Sequence, residues 1–314
     1  MDIVFMLLGF VLLVIGGDFL VRASVSLSFK LNLSKMVIGL TVVSFATSMP
    51  ELLVSLNAAL QGSPDIAINN VIGSNIANIG LVLGITAICT TIEVDKSFYK
   101  FYWPALLIFS LLVYFFLRND YQLSSLEGVI LFTTLLVFII LLIKKSRVSK
   151  FEIDNEMNSL SSISNFKIII WLIIGGISLY YGADWLVNGA VSVANQFGMS
   201  EAVISVSLVA FGTSVPELAA SIVAVIKKER ALSLGNLIGS NIFNIGSVLG
   251  LTAIVDNITI EDPEILSRDV LWMLAFVFAL LPLVIISRRN KLQLKEGFLL
   301  VLIYVFFMFK IFFS

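Results

Sequence analysis

The sequence predicts an all-α polytopic membrane protein, in which ten transmembrane helices form two inverted five-helix repeats. Composition predicts the membrane class. Of the 314 residues, 59% are apolar and only 13% are charged, compared with about 25% charged in average soluble domains. A soluble domain of this length could not bury so much apolar surface, and disordered chains are polar. A second observation, an internal repeat, predicts how the helices are arranged.

Several function classes are excluded at this stage. The net charge of −1 argues against a nucleic-acid-binding protein. The chain has no histidine and one cysteine, Cys89, so Cys/His zinc sites, Ser-His-Asp triads and intrachain disulfides are unavailable. We therefore expect neither an enzyme nor a resident cofactor.

Ten apolar stretches are each long enough to cross a bilayer as a helix. They lie near residues 3–28, 36–60, 66–91, 98–117, 125–143, 166–194, 202–226, 232–255, 268–287 and 296–313. A polar linker separates the two groups of five. The predicted organisation is a first repeat at 1–143, a linker at 144–165 and a second repeat at 166–314.

The distribution of basic residues predicts the orientation in the membrane. Ten spans place the loops alternately on two sides. Of the 20 lysines and arginines, 16 fall on one side, three fall on the other, and Arg22 lies inside the first span. By the positive-inside rule the side that holds the 144–165 linker is cytoplasmic, and both termini are outside.

The two halves repeat with a constant offset of 166 residues. Between residues 37 and 55, 10 of 19 positions are identical to their mates, and between 70 and 84 the count is 12 of 15. Because each half has an odd number of spans, the second half must enter the membrane upside down relative to the first. Inverted repeats of this kind are typical of secondary transporters, which bind substrate near the middle of the membrane.

The second and seventh spans carry matching polar stripes with helical spacing. Thr41, Ser44, Ser48, Glu51 and Ser55 form the first stripe, and Ser207, Ala210, Ser214, Glu217 and Ser221 form the second. A charge at mid-bilayer costs about 2.5–3.5 kcal/mol on insertion scales, so two glutamates at equivalent positions indicate function. The structural alternative is a protonated or ion-paired glutamate that ties helices together, although no basic residue lies at matching depth.

A proline precedes each glutamate, at Pro50 and Pro216. Proline removes a helical hydrogen bond, which frees carbonyls near Thr47 and Thr213 to accept something else. A plain kink in a packed helix is the alternative. Beside a buried carboxylate and two hydroxyls, we favour a bound ion.

The third and eighth spans add further polar residues, with Asn70, Ser74 and Asn78 in one and Asn236, Ser240 and Asn244 in the other. Asn75 and Asn241 point elsewhere and are candidates for hydrogen bonds between helices. All candidate ligands are oxygen atoms, which suit hard cations such as Ca²⁺ and Na⁺. Two ionised carboxylates give −2, which balances one Ca²⁺ or two Na⁺.

Asp18 and Asp184 also lie within spans, away from the centre. Arg22 follows Asp18 by four residues, a favourable spacing for an ion pair, whereas Asn188 takes its place in the second half. We interpret both aspartates mainly as structural or gating residues, with a place on the ion pathway as the alternative.

These motifs resemble those of the cation/calcium exchanger superfamily, in its sodium/calcium exchanger branch of prokaryotic type. The resemblance rests on SFATSMPELLVS with NNVIGSNIANIG, and on AFGTSVPELAAS with GNLIGSNIFNIG. It extends over all ten spans. It implies alternating access around a central site, with the first and sixth spans sliding as the gating unit.

The resemblance also implies the ligands. Glu51 and Glu217 with the carbonyls of Thr47 and Thr213 would hold Ca²⁺. Asn78 would line the middle of the site. Na⁺ would use the glutamates together with Ser48, Ser74, Ser214, Ser240 and the carbonyls of Ser44 and Ala210.

Three departures from the family pattern stand out. Asn244 occupies a position where related exchangers often have an aspartate; it keeps the site charge at −2 and favours K⁺-independent transport. Ser44 stands where the equivalent residue of the second half, Ala210, predicts an alanine. The linker lacks a large regulatory domain, so we expect no Ca²⁺-sensing domain.

Three other functions remain as alternatives. A Ca²⁺/H⁺ antiporter of the same fold typically has an additional glutamate where Asn78 and Asn244 stand here. A passive cation channel is disfavoured by the inverted repeats, and an intramembrane hydrolase lacks a nucleophile with its base. The expected partners are Ca²⁺, Na⁺ and the lipid bilayer, without an obligate protein partner. The expected location is a prokaryotic plasma membrane.

Overall fold

The computed structural model describes residues 2–146, 160, 162–196, 212–287 and 290–313, which are mostly helical. Residues 2–146 form α1 (Asp2–Leu31), α2 (Lys35–Ile38), α3 (Ser44–Thr47), α4 (Met49–Leu60), α5 (Pro64–Ala77), α6 (Gly84–Cys89), α7 (Trp103–Asp120) and α8 (Ser125–Ser146). The described part of the second half forms α9 (Asn165–Gln196), α10 (Val215–Ile226), α11 (Arg230–Phe243), α12 (Gly250–Val255), α13 (Val270–Ile286) and α14 (Leu294–Phe313).

Short π-helical segments and strands connect several of these helices. The π-helical segments are Gly39–Val43, Asn78–Leu83, Phe98–Tyr102, Asn244–Leu249 and Ile265–Asp269, and the two-residue strands are β1 (Ile92–Glu93), β2 (Gln122–Leu123), β3 (Ile258–Thr259) and β4 (Lys291–Leu292). A π-helical segment widens the turn by one residue and often lies at a functional site.

The described helices agree with the predicted membrane class. Seven continuous helical segments, some of which include a π-helical segment, are long and apolar enough to cross a membrane. An eighth candidate is the pair Lys35–Thr47 and Met49–Leu60, which is bent at a break. Of the seventh predicted stretch, residues 202–211 lie outside the described residues, and α10 has only 12 residues. The chain is thus all-helical with seven or eight candidate spans in its described part, and ten spans stay a prediction.

The chain divides into two compact units. The first unit contains Met1–Thr47 and Ile140–Leu237, and the second contains Ser48–Ile139 and Ile238–Ser314. Each unit therefore takes residues from both predicted repeats. The repeat boundaries at 143 and 166 stay predictions.

In the first unit, α1 and α9 pack closely through two pairs of glycines. A Cβ atom on Gly9 would lie 2.7 Å from the carbonyl oxygen of Gly182, and one on Gly16 would lie 2.9 Å from that of Gly175. Neither distance leaves room for a side chain. With the offset of 166 residues, Gly9 corresponds to Gly175 and Gly16 corresponds to Gly182. Each helix therefore contributes the same two glycines of the repeat to the contact.

The second unit contains both strand pairs. β1 pairs antiparallel with β4, and β2 pairs antiparallel with β3. Each pair joins one strand from each predicted repeat. A close contact between helices α6 and α14 also joins the two predicted repeats. A Cβ atom on Gly297 would lie 2.6 Å from the carbonyl oxygen of Gly84.

The glycine contacts of α9 give a matched stability test. We expect Gly175→Ala to lower the free energy of unfolding by about 1–3 kcal/mol, because the new methyl group forces α1 and α9 apart. The control is Gly176→Ala, because a Cβ atom there would meet no described heavy atom within 4 Å. It should have no effect or stabilise by up to about 1 kcal/mol. The measurement is the midpoint of thermal unfolding in detergent, and equal effects of the two variants would contradict this packing.

Candidate cation-binding site

The two glutamates lie in equivalent positions at the starts of two short helices. Glu51 is in the first turn of α4 and Glu217 is in the first turn of α10, and each helix has a proline at its beginning. Proline is tolerated there because the first N–H groups of a helix lack intrahelical acceptors. The positive end of the helix dipole also stabilises a carboxylate at this position. Both glutamates are fully buried.

In the second unit, three polar side chains form a connected chain of hydrogen bonds at Glu51. Ser74 donates its hydroxyl proton to Oε1 of Glu51 at 2.9 Å. Asn244 donates through Nδ2 to the Ser74 hydroxyl at 3.2 Å and to Oδ1 of Asn75 at 3.1 Å. The structure therefore brings Glu51, Ser74 and Asn244, which were predicted as ligands, into one cluster.

Several buried oxygen atoms of this unit are left for another partner. Among the described residues, no hydrogen-bond partner lies near Oε2 of Glu51, Oδ1 of Asn244, or either polar side-chain atom of Asn78. All three residues have 0% exposure. Buried polar atoms are normally hydrogen-bonded or bound to an ion, so these oxygens are candidate cation ligands.

Asn78 and Asn244 share a backbone feature that the sequence analysis missed. Each is the first residue of a π-helical segment, Asn78–Leu83 in one repeat and Asn244–Leu249 in the other. The local i to i+5 hydrogen bonding shifts the side chains out of the regular α-helical register. The spacing of polar and apolar side chains does not predict a π-helical segment. The two segments share the repeated Asn-Ile-Gly that begins at Asn78 and Asn244.

In the first unit, Glu217 lies beside Asn236. Nδ2 of Asn236 donates to the main-chain carbonyl of Glu217 at 3.5 Å and to the Ser221 hydroxyl at 3.2 Å. Thr47 donates to Oδ1 of Asn236 at 3.1 Å. Ser44 donates to the main-chain carbonyl of Asn236 at 3.0 Å. The sequence analysis noted Asn236 but did not include it among the site residues.

The other predicted site residues are placed as follows. Ser48, Ser214 and Ser240 are buried, and Thr213 is partly buried just before α10. Ala210 lies outside the described residues, as does Ser207 of the second polar stripe. Thr47 is the last residue of α3, and Thr213 lies two residues before the first residue of α10.

The candidate cation ligands of the described residues are carboxylate, hydroxyl and amide oxygens. Within the described residues there is no group of three or more His, Cys, Asp or Glu side chains arranged to hold a metal ion. Glu51 forms no ion pair with a described residue, because its contacts are the hydrogen bonds to Ser74 and, through its carbonyl, Asn70. Buried carboxylate, hydroxyl and amide oxygens without a basic partner suit hard cations.

The predicted ion pair of Asp18 is confirmed, and the structure adds a second cation. Arg22 lies 2.7 Å from Asp18, and Lys227, just after α10, also forms an ion pair with Asp18. Lys227 was not predicted, because its position far along the chain gives no spacing signal. Asp184 accepts a hydrogen bond from Asn188 at 2.9 Å. The alternative functions of the two aspartates stay open.

Comparison with known proteins identifies relatives of the whole chain. The model of the sodium/calcium exchanger protein family matches residues 1–144 and 167–313. The putative antiporter CaxA of Alkalimonas amylolytica is 36% identical over 99% of this chain and 98% of its own length. The sodium/calcium exchanger MaX1 of Methanosarcina acetivorans is 29% identical over 98% of this chain and 97% of its own.

Solved structures of the sodium-calcium exchanger NCX_Mj are similar as well. One of them superposes with a TM-score of 0.83 at 31% identity, covering 97% of both chains. The sequence-based resemblance is therefore confirmed. Since the family model matches nearly the whole chain and a relative above 30% identity is matched end to end, this protein belongs to the sodium/calcium exchanger family of transmembrane antiporters.

Proposed function

We propose that this antiporter exchanges Na⁺ for Ca²⁺ by alternating access, and that Glu51 and Glu217 provide the charge that binds either ion. The carbonyls of Thr47 and Thr213 complete the Ca²⁺ ligands, and the hydroxyls of Ser48, Ser74, Ser214 and Ser240 serve Na⁺. Asn78, Asn244 and the carbonyls of Ser44 and Ala210 are the remaining ligands.

The observation that carries this proposal is the Glu51 cluster. One carboxylate oxygen is held by the Ser74 hydroxyl, and the other has no hydrogen-bond partner among the described residues. A hydroxyl orients the carboxylate without neutralising it, so its charge remains available to a cation. A lysine or arginine in the same place would compete with the ion permanently.

The amide of Asn244 supports a site charge of −2. Nδ2 of Asn244 donates hydrogen bonds to Ser74 and Asn75, a role that an ionised aspartate cannot fill. Two carboxylates balance one Ca²⁺ or two Na⁺, so the ions compete for the same charge. We therefore propose that K⁺ is not co-transported.

Contacts between loops support the inverted topology with cytoplasmic linker and external termini. Lys35 pairs with Glu229 at 2.7 Å, and Tyr99 donates to Asn290 at 2.9 Å; all four residues belong to loops or span ends assigned to the cytoplasmic side. On the assigned external side, Asp65 accepts from the main-chain N–H of Glu261 at 3.0 Å. Each contact joins segments that the charge bias places together.

The proposed substrates are Ca²⁺ and Na⁺, and the proposed location is a prokaryotic plasma membrane. We propose that the protein needs neither a resident cofactor nor an obligate protein partner. The short linker 144–165 between the two halves agrees with transport that is not regulated by a separate Ca²⁺-sensing domain.

The first test is transport by the purified protein. Proteoliposomes loaded with Na⁺ and diluted into Na⁺-free buffer should take up ⁴⁵Ca²⁺, and uptake should persist with a proton uncoupler. Glu51→Gln should reduce the initial rate by at least about 100-fold, because it removes a charged ligand, which is worth several kcal/mol in a buried site. Glu261→Gln, an exposed glutamate on a loop, is the control and should transport normally.

Other outcomes of this test distinguish the alternatives. Uptake driven only by a pH gradient and abolished by the uncoupler would identify a Ca²⁺/H⁺ antiporter. Ca²⁺ flux without any counter-ion gradient, with single-channel currents in planar bilayers, would identify a channel. Either outcome would overturn Na⁺/Ca²⁺ exchange while leaving the family assignment intact.

The proposed K⁺ independence has its own test. Replacing external and internal K⁺ by choline should leave the initial rate of Na⁺-driven uptake unchanged. Asn244→Asp should lower that rate at least severalfold, because the carboxylate loses two donated hydrogen bonds, each worth about 1 kcal/mol. Wild-type uptake that requires K⁺ would contradict the proposal.

A further inference from the structure

An asparagine side chain is hydrogen-bonded to the main chain of the glutamate in each repeat. In the second unit, Nδ2 of Asn70 donates to the carbonyl oxygen of Glu51 at 3.2 Å and to the Ser55 hydroxyl at 2.9 Å. Ser55 in turn donates to the carbonyl of Ala67 at 3.0 Å. The amide therefore joins α5 to α4 at the residue that carries the carboxylate.

The same arrangement occurs in the first unit with the equivalent residues. Nδ2 of Asn236 donates to the carbonyl of Glu217 and to the Ser221 hydroxyl. The three positions 70, 51 and 55 map onto 236, 217 and 221 with the offset of 166. Many pairs of apolar side chains could pack these helices together. Both repeats instead contain the same polar contact with the main chain of the glutamate, which indicates a role beyond packing.

Asn236 has additional partners that Asn70 does not share in the described structure. Its Oδ1 accepts from the Thr47 hydroxyl, and its main-chain carbonyl accepts from Ser44. Thr47 and Ser44 lie in α3, before the interruption at Ser48. A single residue thus connects the helix of Glu217 to the α3 segment, whose carbonyls are proposed cation ligands.

We propose that Asn70 and Asn236 are positioning residues for cation binding. Each fixes the backbone of the glutamate in its own repeat and leaves the carboxylate free for the ion. Asn236 also holds α3 at a fixed distance from Glu217, so that it positions ligands from both repeats. This inference rests on the proposed function, since it assumes that the two glutamates bind the transported cation.

The amide is suited to this role for two physical reasons. It is neutral, so it leaves the site charge at −2. It also bonds to the main-chain carbonyl rather than to the carboxylate, and therefore does not compete with the cation. Loss of such a bond displaces the glutamate and weakens cation binding by about three- to tenfold.

The test separates cation binding from turnover in proteoliposomes. Asn70→Leu keeps the approximate side-chain size but removes the donor, and we expect it to raise the KM for Ca²⁺ by about three- to tenfold. The kcat should stay within about twofold. Ser55→Ala is the matched control, because it removes one acceptor of Asn70 but leaves the bond to Glu51, and its KM should stay within about twofold of wild type.

The second arm uses the additional partners of Asn236. Asn236→Leu should raise the KM for Ca²⁺ more than Asn70→Leu does, by about ten- to thirtyfold, because it releases both Glu217 and Thr47. Thr47→Val removes only the hydroxyl bond to Asn236. The effects of Thr47→Val and Asn236→Leu should be less than additive in the double variant, because both remove the same contact.

A purely structural role predicts a different pattern. Loss of packing would lower the unfolding midpoint and the amount of active protein, and hence Vmax, with an unchanged KM; this result would overturn the inference. If either leucine variant does not fold, Asn70→Ser and Asn236→Ser, whose side chains are too short to reach the glutamate carbonyl, replace it.

Failure of the proposed function is recognised separately. If the wild type shows no Na⁺-driven uptake, the proposed function is wrong. The inference is then decided by the rise of the unfolding midpoint with added CaCl₂ in detergent. A smaller rise in the Asn70 and Asn236 variants than in Ser55→Ala would support the positioning role, and equal rises would overturn it.

Discussion

The structure depends on one constraint, which is that a carboxylate inside the membrane must be stabilised without being neutralised. Glu51 is fully buried, and a buried charge costs several kcal/mol unless it is compensated. The compensation at Glu51 consists of a hydroxyl hydrogen bond and a helix N-terminus, both of which stabilise negative charge without adding a cation. The break between α3 and α4 agrees with this requirement, because an uninterrupted helix has no free N-terminus in the middle of a span.

Asp18 of α1 shows the contrasting solution. Asp18 is paired with both Arg22 and Lys227, so its charge is cancelled by side chains of the protein. The carboxylate can then join α1 to the end of α10, but it has little charge left to attract an ion. Acidic residues of one apolar chain thus lie in two kinds of environment: Asp18 has two basic partners, and Glu51 has no basic partner among the described residues.

The sequence predicted those features that depend on periodicity and repetition. Helices occupy the described parts of all ten apolar stretches, the i to i+4 spacing of Asp18 and Arg22 predicted their ion pair, and the repeated motifs identified the Glu51 cluster. The missed features depend on tertiary contact or on backbone hydrogen bonding. Lys227 reaches Asp18 from a distant helix, and the π-helical segment that begins at Asn78 has no signature in side-chain spacing.

Exchange rather than co-transport would follow from the charge of the proposed site, in which Glu51 and Glu217 bind the same ion. Two carboxylates neutralise one Ca²⁺ or two Na⁺, whereas both sets of ions together would leave an excess of two positive charges in a low-dielectric interior. Excess charge of this kind is unfavourable by several kcal/mol, so occupation by one ion excludes the other. The neutral amides of Asn78 and Asn244 preserve this balance, since an ionised carboxylate at either position would accommodate an additional cation.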